Sequence, residues 1–124
     1  MSQSNDDKCF LLHQRSYGET SIIADVFTQK SGKLSFIAKG AKKPKSKFFG
    51  YLVPFQKLKI TYSGRSELKT LTSIDRDLAS NSNTFSKVSY SLLYINELLM
   101  KLLPKDAKHE ELFVLYDEFL KKIN

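Results

Sequence analysis

The hydrophobic pattern of this 124-residue chain changes its period once, and that change restricts the fold more than any other feature. Up to about residue 74, apolar and polar side chains alternate in short runs, which is the period of two expected for β-strands. After Asn83, apolar side chains recur every three or four residues, as on one face of a helix. The sequence therefore predicts a strand-rich part followed by a helical part.

Five short strands are predicted, at residues 8–15, 21–28, 33–38, 55–63 and 66–74. The second and third are separated by a Gln-Lys-Ser-Gly turn and are predicted to form a hairpin. The fourth shows the clearest alternation, because Leu58, Ile60 and Tyr62 share one face while lysine and threonine occupy the other. In the third strand, Phe36 lies on the apolar face. We expect these apolar faces to meet in one core.

A basic insertion separates the third and fourth strands. Residues 40–46 contain Gly, Pro, Ser and three Lys, which predicts a loop, and residues 47–52 can form a short helix before Pro54. Five strands with an insertion and a helical segment after the third give the element order of an OB-fold barrel. The sequence therefore predicts a β-barrel plus α architecture, a five-stranded OB-fold followed by a helical hairpin. A five-stranded sandwich is the competing geometry.

Two helices are predicted, near residues 84–103 and 109–122, joined by a loop. Their apolar stripes comprise Phe85, Val88, Leu92, Ile95, Leu99 and Leu102 in the first helix, and Leu112, Leu115, Phe119 and Ile123 in the second. The second stripe continues to the chain end, so we expect it to lack a partner within this sequence. The predicted organisation is a disordered tail at 1–7, an OB-fold nucleic-acid-binding domain at 8–80, and a truncated helical region at 81–124.

Composition excludes several classes of protein. No apolar run approaches the roughly 18 residues of a membrane span, and the polar start has no signal-peptide pattern, so we expect a cytosolic protein without a membrane partner. A single cysteine, Cys9, excludes an internal disulfide, and with only His13 and His109 beside it we do not expect a zinc site within this chain. We expect Cys9 to be a buried core thiol. No metal or cofactor is predicted.

Positive charge is concentrated in residues 30–69. This segment contains eleven cations and one acid, Glu67, whereas the net charge of the whole chain is +7. Like charges within a Debye length, about 10 Å, repel each other and destabilise the fold, so such clustering indicates a polyanionic partner. Nucleic acid is the commonest such partner, since each phosphate that meets Lys or Arg releases a condensed counterion.

Several short motifs occur along the chain in an order that is similar to one bacterial family. They are Gly18-Glu19-Thr20-Ser21, Val26-Phe27-Thr28 with Ser31-Gly32, Ala38-Lys39-Gly40-Ala41, Pro54-Phe55, Leu68-Lys69-Thr70-Leu71 and Leu93-Tyr94-Ile95-Asn96-Glu97-Leu98-Leu99. One such motif alone is a weak signal, but together they cover most of residues 10–120. On these residues the chain resembles the amino-terminal half of the RecO family of recombination mediators and DNA repair proteins.

The resemblance implies an OB-fold and a helical domain that bind single- and double-stranded DNA, in DNA repair and homologous recombination of the RecF-type pathway. It also implies annealing of complementary strands and loading of recombinase onto DNA coated by single-stranded DNA-binding protein, with RecR as a further partner. A cytoplasmic, nucleoid-associated location in a bacterium follows from the same resemblance.

The family chain normally continues into more helices, in some members with a cysteine zinc cluster, and this sequence departs from that pattern by ending at Asn124. The resemblance places binding of the tail of single-stranded DNA-binding protein mainly in the helical part. The OB half is expected to keep its DNA contacts.

An OB-fold binds single strands through a cationic groove combined with aromatic faces on which bases stack. Ten cations are predicted to contact DNA: Lys33, Lys39, Lys42, Lys43, Lys45, Lys47, Lys57, Lys59, Arg65 and Lys69. The base-stacking candidates flank the basic loop: Phe48, Phe49 and Tyr51. Phe36 and Tyr62 are predicted to be buried, and Phe48 and Phe49 can alternatively close the end of the barrel. The alternative for the lysines is a solvated surface that only favours solubility.

The sequence predicts a protein that is not an enzyme. Its glycines are spaced as turn glycines, without a phosphate-binding loop, and its histidines lack a nucleophile constellation. Two other functions remain open, an RNA-binding OB module and a basic scaffold that meets an acidic protein surface. A salt titration with single-stranded DNA, RNA and a polyacidic peptide separates the three.

Overall fold

The computed structural model describes residues 4–77, 90–104 and 108–123. Within these ranges it contains five strands and two helices. The elements are β1 (Asn5–Tyr17), β2 (Ser21–Thr28), β3 (Gly32–Ala38), β4 (Leu58–Ser63), β5 (Leu68–Arg76), α1 (Tyr90–Leu102) and α2 (Glu110–Ile123). The predicted order of strands and helices is confirmed.

The strands close into a barrel with the order β1-β2-β3-β5-β4. β1 is long enough to pair with two neighbours: its first part pairs with β4, from Asn5↔Tyr62 to Cys9↔Leu58, and the rest pairs with β2. The parallel pairing of β3 with β5 completes the closure. A five-stranded barrel with this order is an OB fold, and the sandwich alternative is excluded.

The barrel interior is filled by the residues that strand alternation predicts. Leu58, Ile60 and Tyr62 of β4 point inward and are buried, and Phe36 of β3 has no exposed surface. Cys9 is fully buried in the same cluster, as expected, and burial raises the pKa of its thiol. The thiol therefore acts as a small apolar group in the core.

Two strands begin three residues away from the predicted start, and the other strand boundaries differ by two residues or fewer. β1 begins at Asn5, and Asp7 is buried and accepts hydrogen bonds from the backbone amides of Lys8 and Lys30, so residues 5–7 belong to the barrel and not to a tail. β4 begins at Leu58 because the backbone turns at Phe55, which has a left-handed φ of 69°. The Phe55 ring is buried under the helices, and this burial offsets the strained backbone conformation. The predicted boundary at residues 80–81 lies outside the described residues.

The helices pack on the outer face of the barrel. Phe10 of β1 and Phe27 of β2 point away from the interior, and both contact Phe113 of α2, with ring centroids 5.3 and 5.5 Å apart respectively. Leu92 and Leu103 extend this second core on the α1 side. β2 and the middle of β1 are therefore covered on both faces, unlike a strand with one solvated side.

A buried hydrogen-bond relay connects both helices to the barrel. The Tyr116 hydroxyl of α2 donates to Asn96 Oδ1 of α1 at 2.5 Å, and Asn96 Nδ2 donates to the backbone oxygen of Leu11 at 3.3 Å. Burial raises the pKa of Tyr116, so the hydroxyl remains a donor. A satisfied buried network of this kind fixes the relative position of the three elements.

The predicted apolar stripes of the helices are partly wrong. In α1, Leu92 is buried as predicted, but Leu102 is 74% exposed and Leu103 is buried in its place. In α2 the buried side chains are Phe113, Tyr116 and Leu120, whereas the predicted stripe members Leu112, Leu115 and Phe119 are exposed. The predicted positions Phe85, Val88 and Ile123 lie outside the residues whose side chains are described. Neither described helix is long and apolar enough to span a membrane.

Candidate nucleic-acid interface

Residues 39–53 form most of the connection between β3 and β4, carry five of the predicted DNA-binding lysines and are called the basic loop here. It is a succession of turns, with backbone bonds Lys43 N to Gly40 O at 3.0 Å and Phe49 N to Ser46 O at 3.1 Å. The short helix predicted at residues 47–52 is absent from this stretch. Gly50, with a φ of 82°, takes a conformation that a helix does not tolerate.

The basic loop is tied to the rest of the barrel at two points. The Lys42 amide donates to the backbone oxygen of Thr20 in the β1–β2 turn at 2.9 Å. Gln14 Nε2 of β1 donates to the backbone oxygen of Leu52 at 3.2 Å. The backbone of the loop is therefore positioned next to the β1–β2 turn, at one end of the barrel.

The apolar side chains of the basic loop close this end of the barrel. Ala41, Phe48 and Leu52 are 3%, 6% and 7% exposed and belong to the interior core. Phe48 is therefore wrong as a base-stacking candidate, because its ring is already buried against protein. Closing the end of the barrel is the alternative role that the sequence indicated for Phe48.

The lysines of the basic loop point into solvent. All five are exposed: Lys39, Lys42, Lys43, Lys45 and Lys47. Lys47 lies 5.3 Å from the centre of the Phe48 ring, and the ion pairs of the described residues involve none of the five. The plugged loop thus presents a cluster of cations that no carboxylate neutralises within the described part of the chain.

Two predicted DNA-binding lysines are wrong, because they are buried between the barrel and the helices. Lys33 is 8% exposed, and its Nζ donates to the backbone oxygen of Met100 in α1 at 2.6 Å. Lys57 is also 8% exposed, and its Nζ lies 2.8 Å from Asp117 Oδ2 and 5.5 Å from the Phe113 ring of α2. Both side chains hold helices to the barrel.

The remaining three predicted cations lie away from the basic loop. Tyr62 at the end of β4 is 3.3 Å from Ser31 in the β2–β3 turn, so exposed Arg65 beyond it belongs to the end of the barrel opposite the β1–β2 turn. Lys69 is the second residue of β5 and is half-buried, and Lys59 is exposed on β4. The fold therefore distributes the ten predicted cations between the basic loop, the interface with the helices and the hairpin of β4 and β5.

The cleft at the opposite end has balanced charge. It has a volume of about 410 Å³ and its charged lining consists of three lysines and three aspartates, Lys8, Lys30, Lys59, Asp6, Asp7 and Asp75. A balanced cleft does not favour a polyanion. Of the two ends, the basic loop therefore provides the better surface for DNA.

Three residues that the sequence reasoning did not single out contribute to the loop end. Arg76 lies with its guanidinium 5.8 Å from the centre of the Tyr51 ring, Arg15 is exposed on β1, and Gln14 holds the loop. The two arginines lie outside the segment 30–69 in which charge was counted. Only the closure of the barrel brings β1 and the end of β5 to the same loop, so composition within a window could not have found them.

The two other stacking candidates differ in accessibility. Phe49 is 49% exposed, which leaves part of its ring free to meet a base. Tyr51 is half-buried, and its ring is paired with Arg76. Phe49 is therefore the ring of the basic loop that is best placed for stacking.

The family model and the curated relatives that match this chain point to the same family. The family model described as "Recombination protein O N terminal" matches residues 1–76. Proteins named "DNA repair protein RecO" from Salmonella dublin, Salmonella paratyphi B and Salmonella newport are each 44% identical over 110 residues, 88% of this chain and 45% of the relative. The chain thus spans less than half the length of the curated relatives it matches.

Proposed function

Because the chain belongs to the RecO family, a family of DNA repair and recombination, we propose that it binds single- and double-stranded DNA through the basic loop and anneals complementary strands. One observation supports this proposal more strongly than any other. Five exposed lysines stand on a loop whose backbone is anchored to the β1–β2 turn and whose apolar side chains plug the barrel.

Exposed lysine ammonium groups suit the phosphates of either kind of strand. Each is a compact point charge on a flexible stem, so it can follow irregular phosphate spacing without reading the base sequence. Binding of this kind is driven largely by counterion release and weakens as salt rises. We therefore expect affinity for DNA without strong sequence preference.

Annealing follows from the same surface. Two complementary strands are kept apart by repulsion between their phosphates, so a protein that neutralises both backbones while leaving base edges free speeds duplex formation. No bond is made or broken in this process. The proposal therefore requires neither a nucleotide nor a catalytic residue, and the chain acts without enzymatic chemistry.

The finer roles of the family are proposed for this protein as well. They are loading of recombinase onto DNA coated by single-stranded DNA-binding protein, cooperation with RecR, and a place near the nucleoid in the cytoplasm. The basic loop contributes the proposed DNA contacts to these roles.

The test is the rate of duplex formation from two labelled complementary strands without ATP, with and without the chain, at low and raised salt. We expect acceleration at low salt that fades as salt is added, because salt screens the lysine contacts. Tight binding combined with slowed annealing would contradict the proposed mechanism, since the chain would then only coat single strands.

RNA is the second candidate ligand, because a cationic stacking surface tolerates either sugar. Salt titrations with DNA and RNA strands of the same sequence, beside a polyacidic peptide, separate the candidates. We expect the DNA strand to bind at least as tightly as the RNA strand, and both to bind more tightly than the peptide. Preference for the peptide would favour the scaffold function.

A further inference from the structure

A cleft of about 320 Å³ lies between the basic loop and the rim of the barrel. Its floor is apolar and is formed by Ile22, Ala41, Phe48 and Leu52, and its remaining lining is Gln14, Lys42, Phe49 and Gly50. Three of the four floor residues are the plug side chains described above, so the floor is part of the packed core. The cleft is therefore a preformed feature of the fold.

The polar groups at the cleft are held in place. Gln14 is fixed by the hydrogen bond from its Nε2 to the backbone oxygen of Leu52, which leaves its Oε1 to act as an acceptor at the cleft. The Lys42 backbone is fixed by its bond to Thr20, so the lysine side chain starts from a defined point at the cleft edge. An apolar cleft with few fixed polar groups is typical of a site for a small planar ligand.

These features match the chemistry of one nucleotide. A nucleobase has apolar faces, which suit an apolar floor and the exposed ring of Phe49, and polar edges, which suit the amide of Gln14. Its phosphate is anionic and suits the ammonium of Lys42. We propose that the cleft takes one unpaired nucleobase of single-stranded DNA, stacked on Phe49, with the adjoining phosphate at Lys42.

The inference rests on the proposed DNA-binding function and adds a preference between strands. A base in a duplex has its edges paired and its faces stacked, and extruding it costs a few kcal/mol. The cleft therefore contributes to binding of single strands and not of duplexes. The lysines of the basic loop, which meet phosphates, contribute to both.

The test compares single-stranded and duplex oligonucleotides of equal length on Phe49→Ala, Phe49→Leu and Phe49→Tyr. Loss of one stacked base is expected to weaken single-strand binding by roughly 5- to 150-fold in the alanine variant while duplex binding is unchanged. The leucine variant keeps apolar volume and is expected to lose affinity as well, whereas the tyrosine variant keeps a ring and is expected to retain it. Tyr94→Ala, which removes a 64% exposed ring from α1, is the matched control and is expected to change neither affinity.

Two outcomes would overturn the inference. The first is an equal loss of affinity for single strands and duplexes, and the second is an unchanged single-strand affinity in the alanine and leucine variants. Either result would show that the cleft binds no base, while DNA binding by the basic loop would still stand. Failure of the unaltered chain to bind either oligonucleotide would instead contradict the proposed function, and the inference with it. Unfolding midpoints of all variants by circular dichroism confirm that the compared proteins are folded.

Discussion

Changing Lys42, Lys43 and Lys45 together to alanine is expected to weaken single-stranded DNA binding on the order of 100-fold at 0.1 M salt. Each lysine that meets a phosphate contributes about 0.7 to the slope of log affinity against log salt, so the slope is expected to fall by about 2. The measurement is a fluorescence anisotropy titration of one labelled oligonucleotide at several salt concentrations. Duplex affinity is expected to fall as well, because its phosphates meet the same lysines.

The matched control removes the same charge from the helices. Lys101, Lys108 and Lys122 are exposed on or beside α1 and α2, and their joint change to alanine lowers the net charge by the same amount. We expect this control to leave the slope nearly unchanged. Equal slopes for the two triple variants would contradict the assignment, because net charge alone, and not the position of the basic loop, would then determine affinity.

Lys57→Ala is expected to lower the free energy of unfolding by about 2–3 kcal/mol, because it leaves the largely buried Asp117 carboxylate without its 2.8 Å partner. This loss of stability is smaller than for a fully buried ion pair, because Lys121 lies 3.7 Å from the same carboxylate and partly compensates its charge. The salt slope of DNA binding is expected to stay unchanged, since Lys57 faces α2. Urea unfolding and the anisotropy titration measure the two quantities.

Lys59→Ala is the matched comparison, two residues further along the same chain segment. Lys59 is exposed on β4, so its removal is expected to change the free energy of unfolding by less than about 0.5 kcal/mol. A reduced salt slope in Lys57→Ala with unchanged stability would contradict the assignment of Lys57 to the interface between barrel and helix.

The barrel could be predicted from the sequence because its inward faces alternate without ambiguity. In β4, the polar partners of Leu58, Ile60 and Tyr62 leave one orientation that buries the apolar groups. The same alternation placed Lys33 and Lys57 on the outer face, which is correct. What it could not show is that α1 and α2 cover part of that face, because this depends on packing between segments that are distant in sequence.

The helical stripes were less predictable because apolar residues occupy too many positions. In α2, Leu112 to Tyr116 are all apolar or aromatic, so two different stripes fit the helical period equally well. The choice between them is made by the barrel, since Phe113 fits against Phe10 and Phe27 and Tyr116 reaches Asn96. Periodicity predicts that a helix exists but cannot select its buried face in such a segment.

The candidate site illustrates the same limit at a smaller scale. Phe48 and Phe49 are adjacent in sequence and identical in chemistry, yet one is 6% and the other 49% exposed. The turns of the basic loop and the left-handed Gly50 determine which ring enters the barrel. The sequence predicted the loop and its lysines, whereas the assignment of each ring required the path of the backbone.

The most direct test of the central claim is a map of backbone amide shifts by NMR as a short single-stranded oligonucleotide is added to the chain. The proposed DNA-binding end predicts that the largest changes fall in the basic loop and at the β1–β2 turn. The β2–β3 turn and the residues around Arg65, at the other end of the barrel, are expected to change little. Largest changes at that other end, or along the exposed faces of α1 and α2, would contradict the account.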